Sequence, residues 1–346
     1  MPATSRHLRR TAAAIALAVA VTGGASSGAL ADTTRTSASV AEYPALPPSN
    51  AFAKDVSRAP LDSSSRAMVA NLEHQVTSRY GGVAAFNAFS FGASLNMAST
   101  GQRRVDVRFD DCQGKGWTPP ALYGPGGQFE DVPIPADAIP AKGTDGHLTV
   151  YSPSTDQLWE FWKARKTSSG WSACWGGRID GISQSDGAFP KTFGASASGL
   201  ASSLGAVQMG EAARGDVDHA VSLLLPRIAH YSDVNYPATR SDGWDRSSSA
   251  IPMGTRFRLD PSVDVERLGL HPVAEAVARA AQRYGFVVTD TAGAVSVQAE
   301  SGEGIRTRTG SNPWNGILDG TPQYAVMAGF PWGDLQVVRE DWGAPS

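Results

Sequence analysis

Four ionisable side chains, Glu160, Glu211, His219 and Asp145, stand among neighbours that would let them do acid–base work. Glu211 ends a small-residue stretch from Gly199. It is followed by an Arg214-Gly215-Asp216 turn, after which Val217, His219, Val221, Leu223 and Leu225 alternate with Asp218, Ala220, Ser222 and Leu224. That alternation predicts a strand carrying His219 on its apolar side. Glu160 lies between apolar residues in Leu158 to Trp162, where an unpaired carboxylate is costly, so it is paired, open to a groove, or used. Two carboxylates across a groove are the minimum for glycoside hydrolysis, one as acid and one as base or nucleophile. Glu211 and Glu160 are the expected pair, with His219 beside them and Asp145 third. Polysaccharide β-elimination has other needs: a base to take the proton next to a uronate carboxyl and a group to neutralise that carboxyl. His219, Tyr236 and Arg258 fit those roles.

Each residue also has a structural reading. His219 shares its predicted face with Val217 and Val221 and equally fits a core histidine with both ring nitrogens satisfied. Glu211 fits a cap, or a partner of Arg214. Asp145 precedes Gly146 and fits a turn. His147 has the ambiguity of His219 in a weaker context. Ser196 and Ser198 belong to a small-residue loop that packs against a sheet. No G-x-S-x-G, H-E-x-x-H, P-loop, dinucleotide fingerprint or EF-hand loop is present, so neither a cofactor nor a metal is expected.

The elements that must position these groups are mostly strands. Leu148 to Tyr151 and Leu158 to Arg165, joined by a turn at Pro153 to Asp156, predict a hairpin, and Trp171 to Asp180 a third strand. Four of the nine tryptophans fall between Trp159 and Trp175. Sugar rings present apolar C–H faces that stack on such rings, so Trp162, Trp175 and Tyr236 are the expected ligand platform. Elsewhere, a helix is predicted over Ser63 to Tyr80 and strands over Val105 to Phe109 and Thr255 to Asp260. A second helix opens at Pro272 and stops at Gly285, and a hairpin is expected between Phe286–Asp290 and Val295–Ala299. The segment from Asn312 to Trp342 is expected to wrap the body.

Composition narrows the setting. Arg6, Arg9 and Arg10 precede an apolar run, Ala12 to Val21, and an Ala29-Leu30-Ala31 cleavage signature, so residues 1–31 read as a secretory signal peptide. Residues 32–50 read as a flexible Thr/Ser/Ala/Pro-rich leader and 51–346 as one domain. Removing residues 1–31 takes three arginines and no acids, leaving 27 basic against 33 acidic residues and moving the formal charge from −3 to −6. That balance does not favour nucleic acid or an anionic membrane as partner. Cys112 and Cys174 are the only cysteines, and export makes a disulfide between them the expectation.

The order of several motifs resembles a largely uncharacterised group of exported bacterial proteins, over about Pro133 to Ala299. The motifs are GTDGH, LWEFW, W-x-A-x-x-G-G, E-x-x-x-G-x-x-x-H-A, Y-P-A, IPMGTRFRL and A-x-x-R-Y-G-F-V-V-T-D. The resemblance implies a mainly β fold, a two-sheet jelly-roll or concanavalin-like sandwich with one or two peripheral helices. It places glutamates at Glu160 and Glu211 and a histidine at His219. The expected protein is secreted and extracellular, and it cleaves a polysaccharide. The alternatives are a lectin-like glycan binder, a lyase using His219 and Tyr236, and a structural or interaction protein of the cell surface.

Overall fold

The computed structural model describes residues 46–345, Lys191 excepted. The signal peptide and all but the last few residues of the leader lie outside the described residues. In chain order the first elements are α1 Ser65–Thr77, β1 Ala85–Phe86, β2 Leu95–Met97, β3 Val107–Phe109, β4 Leu148–Ser152, β5 Gln157–Trp162, β6 Arg165–Thr167, β7 Gly170–Ala173 and β8 Trp175–Asp180. They are followed by α2 Met209–Arg214, β9 Val221–Leu225, β10 Arg256–Leu259, α3 Pro272–Arg283, β11 Phe286–Thr291, β12 Ser296–Val297, α4 Glu303–Thr309, α5 Trp314–Ile317 and β13 Leu335–Val337. The described chain is therefore mostly β.

The strands form three sheets: a six-stranded one ordered β1-β12-β9-β11-β10-β13, a four-stranded one ordered β2-β4-β5-β8, and a three-stranded one ordered β3-β7-β6. Each contains at least one parallel pair, namely β1–β12 and β9–β11, β2–β4, and β3–β7. The mainly β expectation holds, but the strands form three open, mixed sheets with five helices rather than the expected two-sheet jelly-roll sandwich with one or two peripheral helices.

Two apolar cores explain the layering. Val221, Leu223 and Leu225 of β9 and Phe286 and Val288 of β11 pack with Leu72 of α1 and Val273, Val277 and Ala280 of α3, so the helices cover one face of the six-stranded sheet. Val287, on the opposite face of β11, joins Val150, Leu158, Trp159 and Phe161 of the four-stranded sheet. Alternate residues of β11 thus serve different cores, as the period of a strand requires. Helix α3 forms where its signals lie. His271 Nδ1 accepts the Val273 N–H (3.1 Å), Pro272 takes the first turn, and Gly285 follows at φ 81°, a left-handed conformation that suits glycine.

Three expectations are corrected. The predicted strand 171–180 divides at Cys174: β7 pairs with β3 and β6, and β8 pairs with β5. The hairpin of 286–290 with 295–299 does not form, because β9 lies between β11 and β12 and pairs with both. The predicted strand 217–225 begins only at Val221: His219 is bonded to Glu211 of a short helix, α2, that the sequence presented as a loop, and the Ala220 N–H goes to the Phe52 carbonyl. The hairpin of β4 with β5 forms as expected. So does the Cys112–Cys174 disulfide, with Cα atoms 5.5 Å apart.

Candidate functional site

Glu211 and His219 meet, inside the protein. Glu211 is the third residue of α2, and its Oε2 accepts the Gln208 N–H at 2.8 Å, satisfying one of the orphan donors of a helix start. Both of its carboxylate oxygens stand 3.2 Å from His219 Nε2, and His219 Nδ1 is 2.9 Å from the Ala220 carbonyl. A carbonyl can only accept, so Nδ1 is the donor to Ala220, and a protonated ring would also donate from Nε2 to Glu211. Burial alone would push the imidazole pKa down; the charge and hydrogen bond of Glu211 and the Ala220 carbonyl outweigh it and hold the pKa above the ordinary value. Glu300 accepts the Met209 N–H (2.9 Å), and its carboxyl is pushed up to about 7, by burial first and then by the charge of Glu211. These groups are buried, with every polar atom of the imidazole engaged. They fasten α2 to the start of β9 and to the Glu300 segment.

Glu160 is also interior. Its Oε1 accepts the Ser203 N–H at 2.9 Å, Oε2 is buried without a hydrogen-bond partner, and burial raises the carboxyl to about 7 against the opposing bonds from Ser203 and Ser202. Glu211 contributes nothing to that shift, and the two glutamates share no partner. The face carrying Leu158, Glu160 and Trp162 is covered at Glu160 by the 202–205 turn and opens only at Trp162, which is half-buried.

That opening is the candidate site. Trp162 and Trp175 are directly opposite on β5 and β8, and both line a cavity of about 520 Å³ together with Asp145, His147, Arg240, Asp242 and Asp290. Trp162 Nε1 donates to Asp145 Oδ1 at 3.2 Å, which sets that carboxylate at the entry to β4. Trp175 stacks on Phe193 with centroids 5.6 Å apart, and Lys115 Nζ lies 5.6 Å from its centroid. The disulfide joins the neighbours of two lining residues, Gln113 and Trp175, and so ties one wall of the cavity to another.

Asp290 enters from the six-stranded sheet by way of a β-bulge. Val288 pairs with Leu223, but Asp290 pairs with Leu224, so Thr289 is the extra residue. Without it Asp290 would stand beside Leu225, whose side chain belongs to the helix-covered core; with it, Asp290 faces the cavity. Its Oδ1 accepts the Thr291 N–H at 2.9 Å and the Ala197 N–H at 3.2 Å. Burial, then the charge of Asp242, then that of Asp145 push its carboxyl up to about 7, outweighing those two bonds. Asp242 accepts the Thr291 hydroxyl at 3.2 Å. Burial pushes the His147 imidazole down, against the opposing charge of Asp145. Arg240 donates to the Gly194 carbonyl (2.9 Å) and the Ser196 carbonyl (2.5 Å) and faces the charges of Asp290 and Asp242, while its Nε is buried and unpartnered. Ser196 and Ser198 bond each other at 2.9 Å within the same loop.

Of the residues singled out in the sequence, Asp145, His147, Trp162, Trp175 and Ser196 converge here, while Glu160, Glu211 and His219 line no part of the cavity. Tyr236 lies against the N-terminal segment, its hydroxyl 3.1 Å from Lys54 Nζ. The Arg258 guanidinium ties down the carbonyls of Val56, Ser57 and Ala59 at 2.8 to 3.0 Å. Asp290, Asp242 and Arg240 escaped sequence reasoning. The one local signal for Asp290 is an acid closing the apolar run Phe286 to Val288. Among the described residues, no group of three or more His, Cys, Asp or Glu side chains is arranged to hold a metal ion.

Comparison of the chain with protein-family models, with curated proteins and with solved structures finds no match in any of the three.

Proposed function

We propose that the protein is a secreted glycoside hydrolase acting on an extracellular polysaccharide, with its active site in the Trp162–Trp175 cleft. The observation that carries this reading is a half-buried carboxyl beside ionisable partners in an aromatic-lined cavity. Asp290, its carboxyl raised to about 7, lines this cavity together with Asp145, which enters from the other sheet, and with two indole rings. A carboxyl raised toward neutrality in this way suits a general acid.

Asp290 gives its proton to the glycosidic oxygen of the leaving group. Asp145, oriented by Trp162 Nε1, takes a proton from the water that attacks the anomeric carbon, so the C–O bond to the leaving group breaks as the bond to water forms. The charges of Asp242 and Asp145 both raise the Asp290 carboxyl, that of Asp242 the more. Asp242 then serves to keep Asp290 protonated. The disulfide and the signal-like N-terminus support export.

The test is a polysaccharide panel assayed in parallel for reducing ends and for the ultraviolet absorbance of unsaturated products, with wild type and Asp290→Asn. Reducing ends released by the wild type and lost in the variant are the expected result. Unsaturated products would replace hydrolysis with β-elimination, and glycan binding with neither product would replace it with a lectin-like role.

A further inference from the structure

A second cavity, of about 680 Å³, adjoins the first, and Asp145, His147, Asp290 and Thr291 line both. Each is large enough to be a small-molecule site in its own right. The proposed acid and base therefore stand on the partition between two chambers.

The chambers differ in chemistry. The first carries Lys115 and Arg240, whereas the second has no ionisable side chain beyond the shared ones except the phenols of Tyr80 and Tyr324. Those two rings, 73% and 64% exposed, line it together with Phe91, 41% exposed. Its inner residues include Asn87, Ser296 and Gln298. Gln298 is 2% exposed, and its Oε1 is buried with no hydrogen-bond partner. A buried acceptor without a donor is disfavoured, and a ligand hydroxyl or amide N–H that reached it would relieve that cost. Flat exposed rings over neutral amides and a hydroxyl suit an uncharged pyranose, whose C–H faces stack and whose hydroxyls bond.

We propose that the second chamber is a subsite for an uncharged sugar and that a glycan chain lies across both chambers, passing over Asp290, so that the linkage at the acid lies within the chain. This inference rests on the hydrolase reading for the site of cleavage but not for the binding path.

The experiment uses full-length mature protein carrying Asp290→Asn, titrated calorimetrically with disaccharides and hexasaccharides of the cello-, xylo-, laminari-, manno- and chito- series. The same titrations are made with Tyr80→Ala/Tyr324→Ala added, and its fold is checked by circular dichroism. We expect the hexasaccharide of at least one series to bind about tenfold or more tighter than its disaccharide, and the double substitution to close that gap. Equal affinities, or a gap the tyrosine substitutions leave intact, would overturn the inference even if the wild type releases reducing ends, and hydrolysis would then stand alone. A gap closed by the substitutions with no product from the wild type would leave the two-chamber path standing and remove the hydrolase reading. No binding of any sugar would remove both.

Discussion

Replacing Glu160 by glutamine separates a buried structural acid from a catalytic one. The carboxyl is 1% exposed and is raised from 4.5 to about 7, mainly by burial. In the unfolded chain the same group ionises near its ordinary value, so folding is penalised for Glu160 once the pH passes that value. The penalty grows until the pH exceeds about 7. At 1.36 kcal/mol per pKa unit, the stability that wild type loses between those limits through this group is about 3 kcal/mol. In Glu160→Gln, Oε1 still accepts the Ser203 N–H, and the unpartnered position becomes a neutral amide. That amide carries a cost of ~1–3 kcal/mol of its own, but one that does not change with pH. The quantity to measure is therefore the difference between wild type and variant in urea-derived unfolding free energy at pH 5 and at pH 8.5. The variant should gain about 2–3 kcal/mol relative to wild type over that interval, since part of the penalty is already present at pH 5, and retain turnover. Parallel pH profiles, or a variant that folds normally but has lost activity, would refute the placement of Glu160 as an interior acid.

Activity should fall as pH rises through about 7, where Asp290 loses its proton, and Asp290→Asn should lower kcat by roughly 100- to 10,000-fold without shifting the thermal midpoint downward; a flat pH–rate profile on the basic side would contradict the acid role. Glu211→Gln leaves His219 without its counter-charge. It should destabilise the fold by about 3 kcal/mol while leaving cleavage intact, which chemical denaturation and the reducing-end assay check together. That stabilising pair is fully present below the ordinary histidine value and is lost as pH rises through the elevated one. The Cys112–Cys174 bond spans 62 residues. Its reduction should cost about 4 kcal/mol and weaken glycan binding, because it holds the Gln113 wall against Trp175; unchanged affinity in a Cys112→Ser/Cys174→Ser pair would contradict the second part.

Local signals were sufficient wherever a feature depends on neighbours in the chain. Helix α3 lies between Pro272 and Gly285 because both residues act on the backbone they belong to. The hairpin of β4 and β5 brings Asp145 beside Trp162, since a short turn sets the register between them, and the W-x-A-x-x-G-G strand then sets Trp175 opposite. Those three residues of the site, and the disulfide, were legible in the sequence. What tertiary structure decided was burial and orientation. Glu160 and Trp162 share a strand face, yet one lies beneath the 202–205 turn and the other in the open, a difference set by a segment some forty residues away. The alternation around His219 fits a strand equally well, but Glu211 and α2 claim the histidine first. Asp290 is the clearest case. A strand has period two, so whether its carboxyl meets the helix-covered core or the cleft turns on the single bulged residue Thr289, and that bulge exists only because β9 lies alongside.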